Sequence, residues 1–387
     1  MVRLRLAPDD ARFRDEFRTF LRAGIPQEIR DKVAAHEELT RDDYVTSQRV
    51  LNAAGLAVPD WPVEWGGHDW TPLRTHIWHE ELAEAAVPRP LEFNTSMVGP
   101  VIAAFGSQEQ KERFLPPTAN LDIWWSQGFS EPEAGSDLAS LRTTAVLDGH
   151  HWVVNGQKTW TTLAQYGDWI FTLVRTDPAA PKRQLGISFL LIDMSSPGVT
   201  VRPIELVDGT FEVNEVFFDD VRVPADNLVG EVNKGWTYAK FLLGNERTGL
   251  SGVGETKRML ATAKQRAHAL GLLDDASYVH RFTDLENELL ALELTALRVA
   301  GGAAHEAADP ASSVLKLHGT RLSQAVTELV VDMAGPAALA SGADDGSDLP
   351  RWARRSVPHY LNERKTSIYG GSNEIQRTII ATTILGL

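Results

Sequence analysis

Apolar residues along this chain follow a helical spacing toward both ends and an alternating, strand-like spacing in the middle. Near the N-terminus, four large apolar residues recur at spacings of three or four on a charged background: Phe13, Phe17, Phe20 and Leu21. This spacing predicts an amphipathic helix. Longer periodic runs predict three further helices toward the C-terminus, over residues 259–270, 282–300 and 313–333.

Between the helical regions, short runs rich in β-branched and aromatic residues predict a series of strands. These runs are residues 145–147, 151–154, 170–174, 187–192, 199–204 and 213–218. The first two flank an Asp148-Gly149 turn, and Asn155-Gly156 predicts a second tight turn. Because helices and strands do not alternate, the order favours segregated helical and β domains over a doubly wound sheet.

The composition fits a globular protein and limits its chemistry. A chain of 387 residues is long enough for two or three domains of roughly 100–200 residues each. Hydrophobic residues make up 43% and charged residues 23%, as in ordinary globular proteins. The net charge of −14 disfavours nucleic acid and anionic membranes as partners, because both repel an acidic surface. The absence of cysteine excludes a thiol nucleophile, a disulfide framework and a thiolate metal site.

The sequence predicts neither a secretory signal nor a membrane span. The first ten residues lack a long apolar core, which argues against a secretory signal. No run approaches the roughly 18 apolar residues of a membrane-spanning helix. These features predict a soluble, cytoplasmic protein.

A loop at the start of the strand-rich region carries the first candidate chemistry. Residues 124–137 read WWSQGFSEPEAGSD. A short hydroxyl residue such as Ser130 can hydrogen-bond the edge of a ring, Gly135 lets backbone approach a ligand closely, and Ser136 can meet an acyl chain. By composition alone the segment is also typical of a surface turn.

A second segment, residues 155–162, reads NGQKTWTT. Trp160 offers a planar aromatic face that can stack on a flat ligand and exclude water. A single tryptophan in a strand more often belongs to the core. The interpretation of Trp160 as a ligand contact therefore depends on the presence of the first segment.

The third candidate lies on a predicted helix, where residues 242–247 read LLGNER. On a 3.6-residue period Glu246 shares a face with Leu242 and Leu250. Poor solvation raises the pKa of a carboxyl group, which suits a base that removes a carbon-bound proton. Without other context, Glu246 and Arg247 form an ordinary surface pair.

Together with residues 367–377, which read SIYGGSNEIQR, these segments resemble the acyl-CoA dehydrogenase family over essentially the whole chain. They are similar to its T-E-P-x-A-G-S-D loop, its N-G-x-K-x-W-I-T strand and its C-terminal flavin loop. In most of that family the residue after the tyrosine of the flavin loop is the catalytic glutamate. Here it is Gly370, and a minority of the family keeps its base at the position of Glu246. The two departures explain each other.

The resemblance implies an α+β fold of the acyl-CoA dehydrogenase type. We expect an N-terminal α-helical domain over residues 1–123, a middle antiparallel β domain over 124–231 and a C-terminal four-helix bundle over 232–387. The middle domain is expected to contact flavin and acyl-CoA, and the bundle to carry the base.

The resemblance also implies the reaction and its residues. Glu246 would take the α-proton of an acyl-CoA while hydride passes to FAD, giving a trans-2-enoyl-CoA, and electrons would leave through an electron-transfer flavoprotein. The positions that match cofactor contacts are Gln127, Phe129, Ser130, Trp160, Thr162, Tyr369, Ser372 and Glu374. The positions that match substrate contacts are Ser136, Arg247 and Gly370. We expect a bulky, branched, steroid side-chain or dicarboxylyl acyl group, and no metal.

Two degraded motifs imply a second subunit. The family's R-x-x-F-G and Q-x-x-G-G segments complete a neighbouring subunit's flavin site, but here residues 265–273 read QRAHALGLL and residues 332–337 read DMAGPA. In this respect the chain looks most like the large subunits of pimeloyl-CoA dehydrogenases and of actinobacterial steroid side-chain dehydrogenases. We therefore expect an α2β2 heterotetramer with a second acyl-CoA dehydrogenase-like chain.

Two other functions remain open at this point. A non-catalytic subunit would only complete its partner's site, and a related flavin oxidase or monooxygenase would use the same fold with a different acceptor. Glu246 favours the dehydrogenase over the first, whereas oxygen reactivity depends on pocket features that sequence does not show.

Overall fold

A computed structural model describes the backbone of residues 6–249, 252–302, 310–340 and 348–387, and their side chains except at 244–249 and 302. Within these ranges the chain forms thirteen α-helices and seven strands. The helices are α1 (Pro8–Gly24), α2 (Gln27–Ala34), α3 (Arg41–Ala53), α4 (Pro72–Glu84), α5 (Gly99–Phe105), α6 (Gln108–Ala119), α7 (Gly235–Gly249), α8 (Val253–Ala269), α9 (Ala276–Gly302), α10 (Ala311–Ala334), α11 (Arg351–Arg354), α12 (Ser356–Glu363) and α13 (Asn373–Ile379). The strands are β1 (Trp125–Gly128), β2 (Thr144–Asp148), β3 (His151–Thr162), β4 (Trp169–Arg175), β5 (Ile187–Asp193), β6 (Val199–Ile204) and β7 (Val213–Pro224).

The chain divides into two compact units. The helical unit comprises Met1–Asp43, Trp70–Arg89 and Glu246–Leu387, and the sheet unit comprises Tyr44–Asp69 and Pro90–Asn245. The helix–strand–helix order along the chain and the α+β class are confirmed. The domain limits at residues 123 and 231 stay predictions. The two compact units are defined by contacts in space, whereas the expected domains follow the division of the sequence in the family.

The helical unit has a core formed by its C-terminal helices. Buried side chains of α8, α9 and α10, among them Leu260, Phe282 and Leu329, pack in one cluster. From the N-terminal part of the unit, α1 joins α4 through a fork in which Arg18 donates two hydrogen bonds of 2.7 Å to the buried Glu81 carboxylate. A guanidinium fork of this geometry is among the stronger polar contacts.

The sheet unit is built around one seven-stranded sheet. Its strand order is β1-β4-β2-β3-β7-β6, with β5 paired to β4. The β2/β3, β3/β7, β4/β5 and β6/β7 pairs are antiparallel, as expected, whereas β1 and β2 both pair with β4 in parallel. Alternate residues of β3, β4, β5 and β7, such as Val154, Ile170 and Val216, face a fully buried core.

The predicted second turn at Asn155-Gly156 is wrong. Strand β3 continues through both residues, and its register against β7 shifts between Val154 and Gly156. A Cβ atom at Gly156 would lie 2.4 Å from Thr143 Oγ1, so a side chain does not fit there. This glycine therefore permits close packing opposite a β-bulge in β7, rather than a hairpin. The first turn is confirmed, since β2 ends at Asp148 and β3 begins at His151.

Over the part of the chain that the structure describes, no helix combines the length and the apolar character needed to span a membrane.

Candidate active site

The segment that carries Ser130 is fixed to strand β3 by a buried ion pair. Lys158, on β3, has no exposed surface, and its Nζ donates to Glu131 Oε1 at 2.7 Å, to Leu173 O at 2.8 Å and to Phe129 O at 3.2 Å. One further bond joins the same elements, from Thr159 N–H to the carbonyl of Ser130 at 2.9 Å. Ser130 is thereby held beside the end of β3.

The Glu131 carboxylate is also bound by backbone. Its Oε2 accepts from Arg142 N–H at 2.6 Å and its Oε1 from Thr143 N–H at 2.9 Å. Burial would raise the pKa of Glu131, but the Lys158 charge and these hydrogen bonds outweigh it and hold the pKa below its usual value. Burial lowers the pKa of Lys158 to about 8 despite the opposing Glu131 charge. Both groups are therefore charged at neutral pH.

Trp160 occupies an unusual place at the end of β3. Between Lys158 and Thr161, three steps along β3 match two along β7, so the strand bulges at this point. Trp160 has a left-handed φ of 59°, uncommon for a bulky residue, and its side chain is 59% exposed. A strained backbone that presents a large aromatic ring outward is typical of a ligand site rather than a core position.

The other sequence-predicted residues of the sheet unit differ in exposure. Gln127, on β1, and Ser130 and Thr162 are partly buried, and Ser136 is exposed. Phe129 is 5% exposed and packs edge-on against Phe171 at 5.8 Å between ring centroids. Its side chain therefore belongs to the core, and any cofactor contact would come from its backbone.

In the helical unit, the C-terminal candidates lie on one short loop that leads into α13. Gly370 and Gly371 have left-handed φ angles of 63° and 81°. Gln376 donates from Nε2 to the carbonyls of Gly370 at 3.0 Å and Gly371 at 3.3 Å. The loop is therefore held in a conformation that disfavours the glutamate most of the family places at position 370.

The remaining candidates surround this loop. Tyr369 is 46% exposed, Glu374 is exposed in the first turn of α13, and Ser372 caps the same helix by accepting from Ile375 N–H at 3.4 Å. Gln376 Oε1 is buried and lacks a hydrogen-bond partner within the described residues. A buried acceptor of this kind is an open position for a donor from a bound group.

The helix predicted to carry the base is observed. Helix α7 runs through Glu246 and Arg247, but the side chains of both lie outside the described residues. Its first part is anchored in the sheet unit, where Tyr238 Oη accepts from Glu231 N–H at 2.9 Å and the Tyr238 ring packs 4.5 Å from Phe105. Leu242, one turn before Glu246, is fully buried.

The residues of the sheet unit fit an isoalloxazine ring. An outward-facing indole matches its flat face, and the partly buried hydroxyls of Ser130 and Thr162 match its polar edges. Sequence reasoning found these residues through their motifs but assigned no role to Lys158 and Glu131, although both stand in those motifs. Their pairing across 27 positions carries no local signal.

A polar cluster in the helical unit was also missed. His76 Nε2 lies 3.4 Å from Glu80 and 3.3 Å from Glu293, while Lys257 forms ion pairs with both carboxylates. Hydrogen bonds to the two carboxylates outweigh burial and raise the pKa of His76 to about 9. The His76 imidazole and the two carboxylates lie close enough together to bind a metal ion, but the Lys257 ammonium already supplies a positive charge there.

Comparison with known families covers almost the entire chain. The family models described as acyl-CoA dehydrogenase N-terminal, middle and C-terminal domains match residues 7–122, 126–221 and 233–385.

Individual relatives and solved structures agree. "Acyl-CoA dehydrogenase IpdE1" of Mycobacterium tuberculosis is 38% identical over 386 residues, covering 96% of this chain and 97% of that protein. The crystal structure of the ChsE4-ChsE5 complex from Mycobacterium tuberculosis contains a chain with a TM-score of 0.85 and 32% identity, covering 100% of this chain and 99% of that one. The Tcur3481-Tcur3483 steroid ACAD has a TM-score of 0.88 and 28% identity, with the same coverage.

Proposed function

Since the chain belongs to the acyl-CoA dehydrogenase family, we propose that it catalyses FAD-dependent α,β-dehydrogenation of an acyl-CoA thioester to a trans-2-enoyl-CoA. The observation that carries this proposal is Trp160, a strained and exposed indole beside the clamped Ser130 segment. These residues offer what a flavin ring requires, and the family match supplies the reaction class.

In this proposal each group has a defined task. Glu246 removes the α-proton of the thioester, Trp160 covers one face of the flavin, and Ser130 and Thr162 hydrogen-bond its edge. Bound FAD supplies the acceptor for the hydride that leaves the β-carbon. Contacts from Gln127 and the Phe129 backbone complete the sheet-unit side.

The C-terminal loop and the remaining substrate contacts complete the assignment. The proposed cofactor contacts in this loop are Tyr369, Ser372 and Glu374. The proposed substrate contacts are Ser136, Arg247 and Gly370. We assign these tasks to functional domains over residues 1–123, 124–231 and 232–387. The family matches, which end at 122, 221 and 385, support this division.

The proposed acyl group is bulky, with a steroid side-chain thioester as first choice and a dicarboxylyl thioester as second. Two glycines in succession, Gly370 and Gly371, leave their loop without side chains. The description of one structural relative as a steroid acyl-CoA dehydrogenase points to the same class. Because this loop carries no side chain at either glycine, we expect it to tolerate α-methyl branches as well.

A panel of thioesters tests the reaction and the substrate class together. Under anaerobic conditions we expect the flavin absorbance to bleach with a steroid side-chain CoA thioester, more slowly with pimeloyl-CoA and least with a short straight acyl-CoA. Preference for the short straight chain would contradict the proposed pocket. Rapid consumption of oxygen during turnover, in place of reduction of an electron-transfer flavoprotein, would identify an oxidase or monooxygenase.

We further propose that the enzyme is an α2β2 heteromer with a second acyl-CoA dehydrogenase-like subunit, and that an electron-transfer flavoprotein accepts its electrons. The degraded segments at residues 265–273 and 332–337 support this, because they lack the residues that complete a neighbouring flavin site. The ChsE4-ChsE5 and Tcur3481-Tcur3483 structures are complexes of two named chains, which lends further support.

Expression with and without a partner tests the assembly. Co-expressed with the partner subunit, the chain is expected to copurify with it and to hold one FAD per heterodimer. Expressed alone, it is expected to bind little flavin and to show little turnover, because half of each cofactor site is missing. A flavin-saturated, active homotetramer from this chain alone would contradict the heteromer, while leaving the dehydrogenase reaction intact.

A further inference from the structure

A small cavity in the helical unit is lined by positive charge. It has a volume of about 40 Å³ and lies among residues that follow α2 and residues of α8, α10, α11 and α12, including Arg355 between the last two helices. Five of its lining side chains are basic, namely His36, Arg258, Arg266, Arg355 and His359, and none is acidic. In a chain with a net charge of −14, three arginines beside one small cavity are unexpected.

Neighbouring carboxylates account for only part of this charge. Arg258 forms an ion pair with Glu255, and His359 lies 3.8 Å from Glu363. Across residues 6–249, 252–302, 310–340 and 348–387, Arg266 and Arg355 form no ion pair with a carboxylate. Among the described residues, two guanidinium groups beside one cavity therefore have no carboxylate within ion-pair distance.

The contacts that these two arginines do make hold them in place. The Arg266 guanidinium lies 5.1 Å from the Trp352 ring centroid, a cation–π distance. Arg355 donates from Nη1 to the carbonyl of His36 at 3.4 Å. Neither contact supplies negative charge, but both restrict the side chains and so reduce the entropy lost when a ligand binds.

The protonation state of His36 is affected by burial and by the same positive charges. Its ring is 4.0 Å from that of His359 between centroids. Burial, together with the charges of His359, Arg258, Arg266 and Arg355, lowers the pKa of His36 to about 2. The ring is therefore neutral at physiological pH, with one nitrogen able to donate a hydrogen bond.

We propose that this cavity is a binding site for a free inorganic oxyanion, of the phosphate or sulfate type. Guanidinium groups match the oxygens of such an anion in pairs, which a lysine cannot do. The cavity exceeds the roughly 10–15 Å³ that one water needs, yet it is too small for a nucleotide. The anion would offset the repulsion among Arg258, Arg266 and Arg355, and so stabilise the helical unit.

Thermal unfolding of the intact enzyme, with its partner subunit if the two copurify, provides the test. Inorganic phosphate and sulfate are compared with chloride at equal ionic strength. A saturable rise in the unfolding temperature of about 3–5 °C is expected near 100 times the dissociation constant. Chloride and glycerol phosphate are expected to give smaller rises, because chloride has no paired oxygens and the ester replaces one of the phosphate oxygens.

Variants locate the effect. Arg266→Gln and Arg355→Gln are each expected to reduce the phosphate-dependent rise by more than half. Arg281→Gln, which removes the same charge from an exposed pair with Asp332 outside the cavity, is expected to retain it. Phosphate binding to the wild-type enzyme, measured by calorimetry, keeps the test valid if a variant does not fold.

Several results would overturn the proposal. They are the absence of calorimetric phosphate binding by the wild-type enzyme, an equal response to phosphate and chloride, and an Arg281→Gln variant as impaired as Arg266→Gln. Because these measurements do not depend on turnover of an acyl-CoA, failure here leaves the proposed dehydrogenation untouched.

Discussion

Replacement of Glu246 by glutamine is expected to lower the turnover of an acyl-CoA thioester by about 10²–10⁴-fold, the contribution usual for a positioned general base. Glutamine keeps the size and polarity of the side chain but cannot accept the α-proton. Flavin content and KM should change little, because the substitution leaves helix α7 and its anchoring through Tyr238 intact.

The control for this substitution is Glu231→Gln, which removes an equal charge from an exposed residue shortly before α7. It is expected to leave turnover within about twofold, as for a surface substitution. Glu246→Asp is expected to be intermediate, since the carboxylate remains but is set back by one methylene. If Glu246→Gln turned over as fast as wild type, the base would have to lie elsewhere, and the chain could be the non-catalytic subunit.

The backbone conformation at Gly370 also disfavours a catalytic glutamate in the C-terminal loop. Gly370 has a φ of 63°, where an ordinary side chain costs roughly 1–2 kcal/mol. A glutamate at that position would therefore work against the loop conformation that Gln376 holds. The sequence lacks the glutamate at position 370, and the structure shows a left-handed backbone conformation there that favours glycine.

Elements and motifs that depend only on neighbouring residues could be predicted from the sequence. Strand β6 has the predicted limits, Val199–Ile204, because alternation and the flanking turn residues are both short-range signals. The motif that contains Trp160 is likewise a local signal, and the residue is exposed as a ligand contact requires. The misassigned turn at Asn155-Gly156 shows the limit of this approach, because the deciding contact is with Thr143, which lies on another segment.

Arrangements that join distant segments were not readable. Lys257 reaches Glu80 and Glu293, which are 177 and 36 positions away. The basic cavity combines His36 with Arg266 and Arg355, and no spacing rule connects them. In both cases the residues are ordinary on their own helices, and their meaning appears only when the helices pack.

Replacement of Glu131 by glutamine is expected to destabilise the sheet unit by about 3–5 kcal/mol, the usual effect of removing one partner of a buried ion pair. Lys158 would lose the counter-charge that opposes the effect of burial on its pKa, so its ammonium would be destabilised in a site without solvent exposure. The new amide would also place an N–H₂ group against a lysine ammonium or a backbone N–H, where only acceptors fit. Urea denaturation followed by tryptophan fluorescence measures the loss, and flavin content is expected to fall with it.

The same loop offers a matched control. Glu133 pairs with Arg142 at 2.7 Å, but both side chains are more than two-thirds exposed, at 71% and 79%. Glu133→Gln is therefore expected to cost no more than about 1 kcal/mol. The double variant Glu131→Gln/Lys158→Met is expected to be less destabilised than Glu131→Gln alone, because it removes the uncompensated charge. Equal effects of Glu131→Gln and Glu133→Gln would show that the buried pair does not hold the Ser130 segment, and Trp160 would then need another source of support.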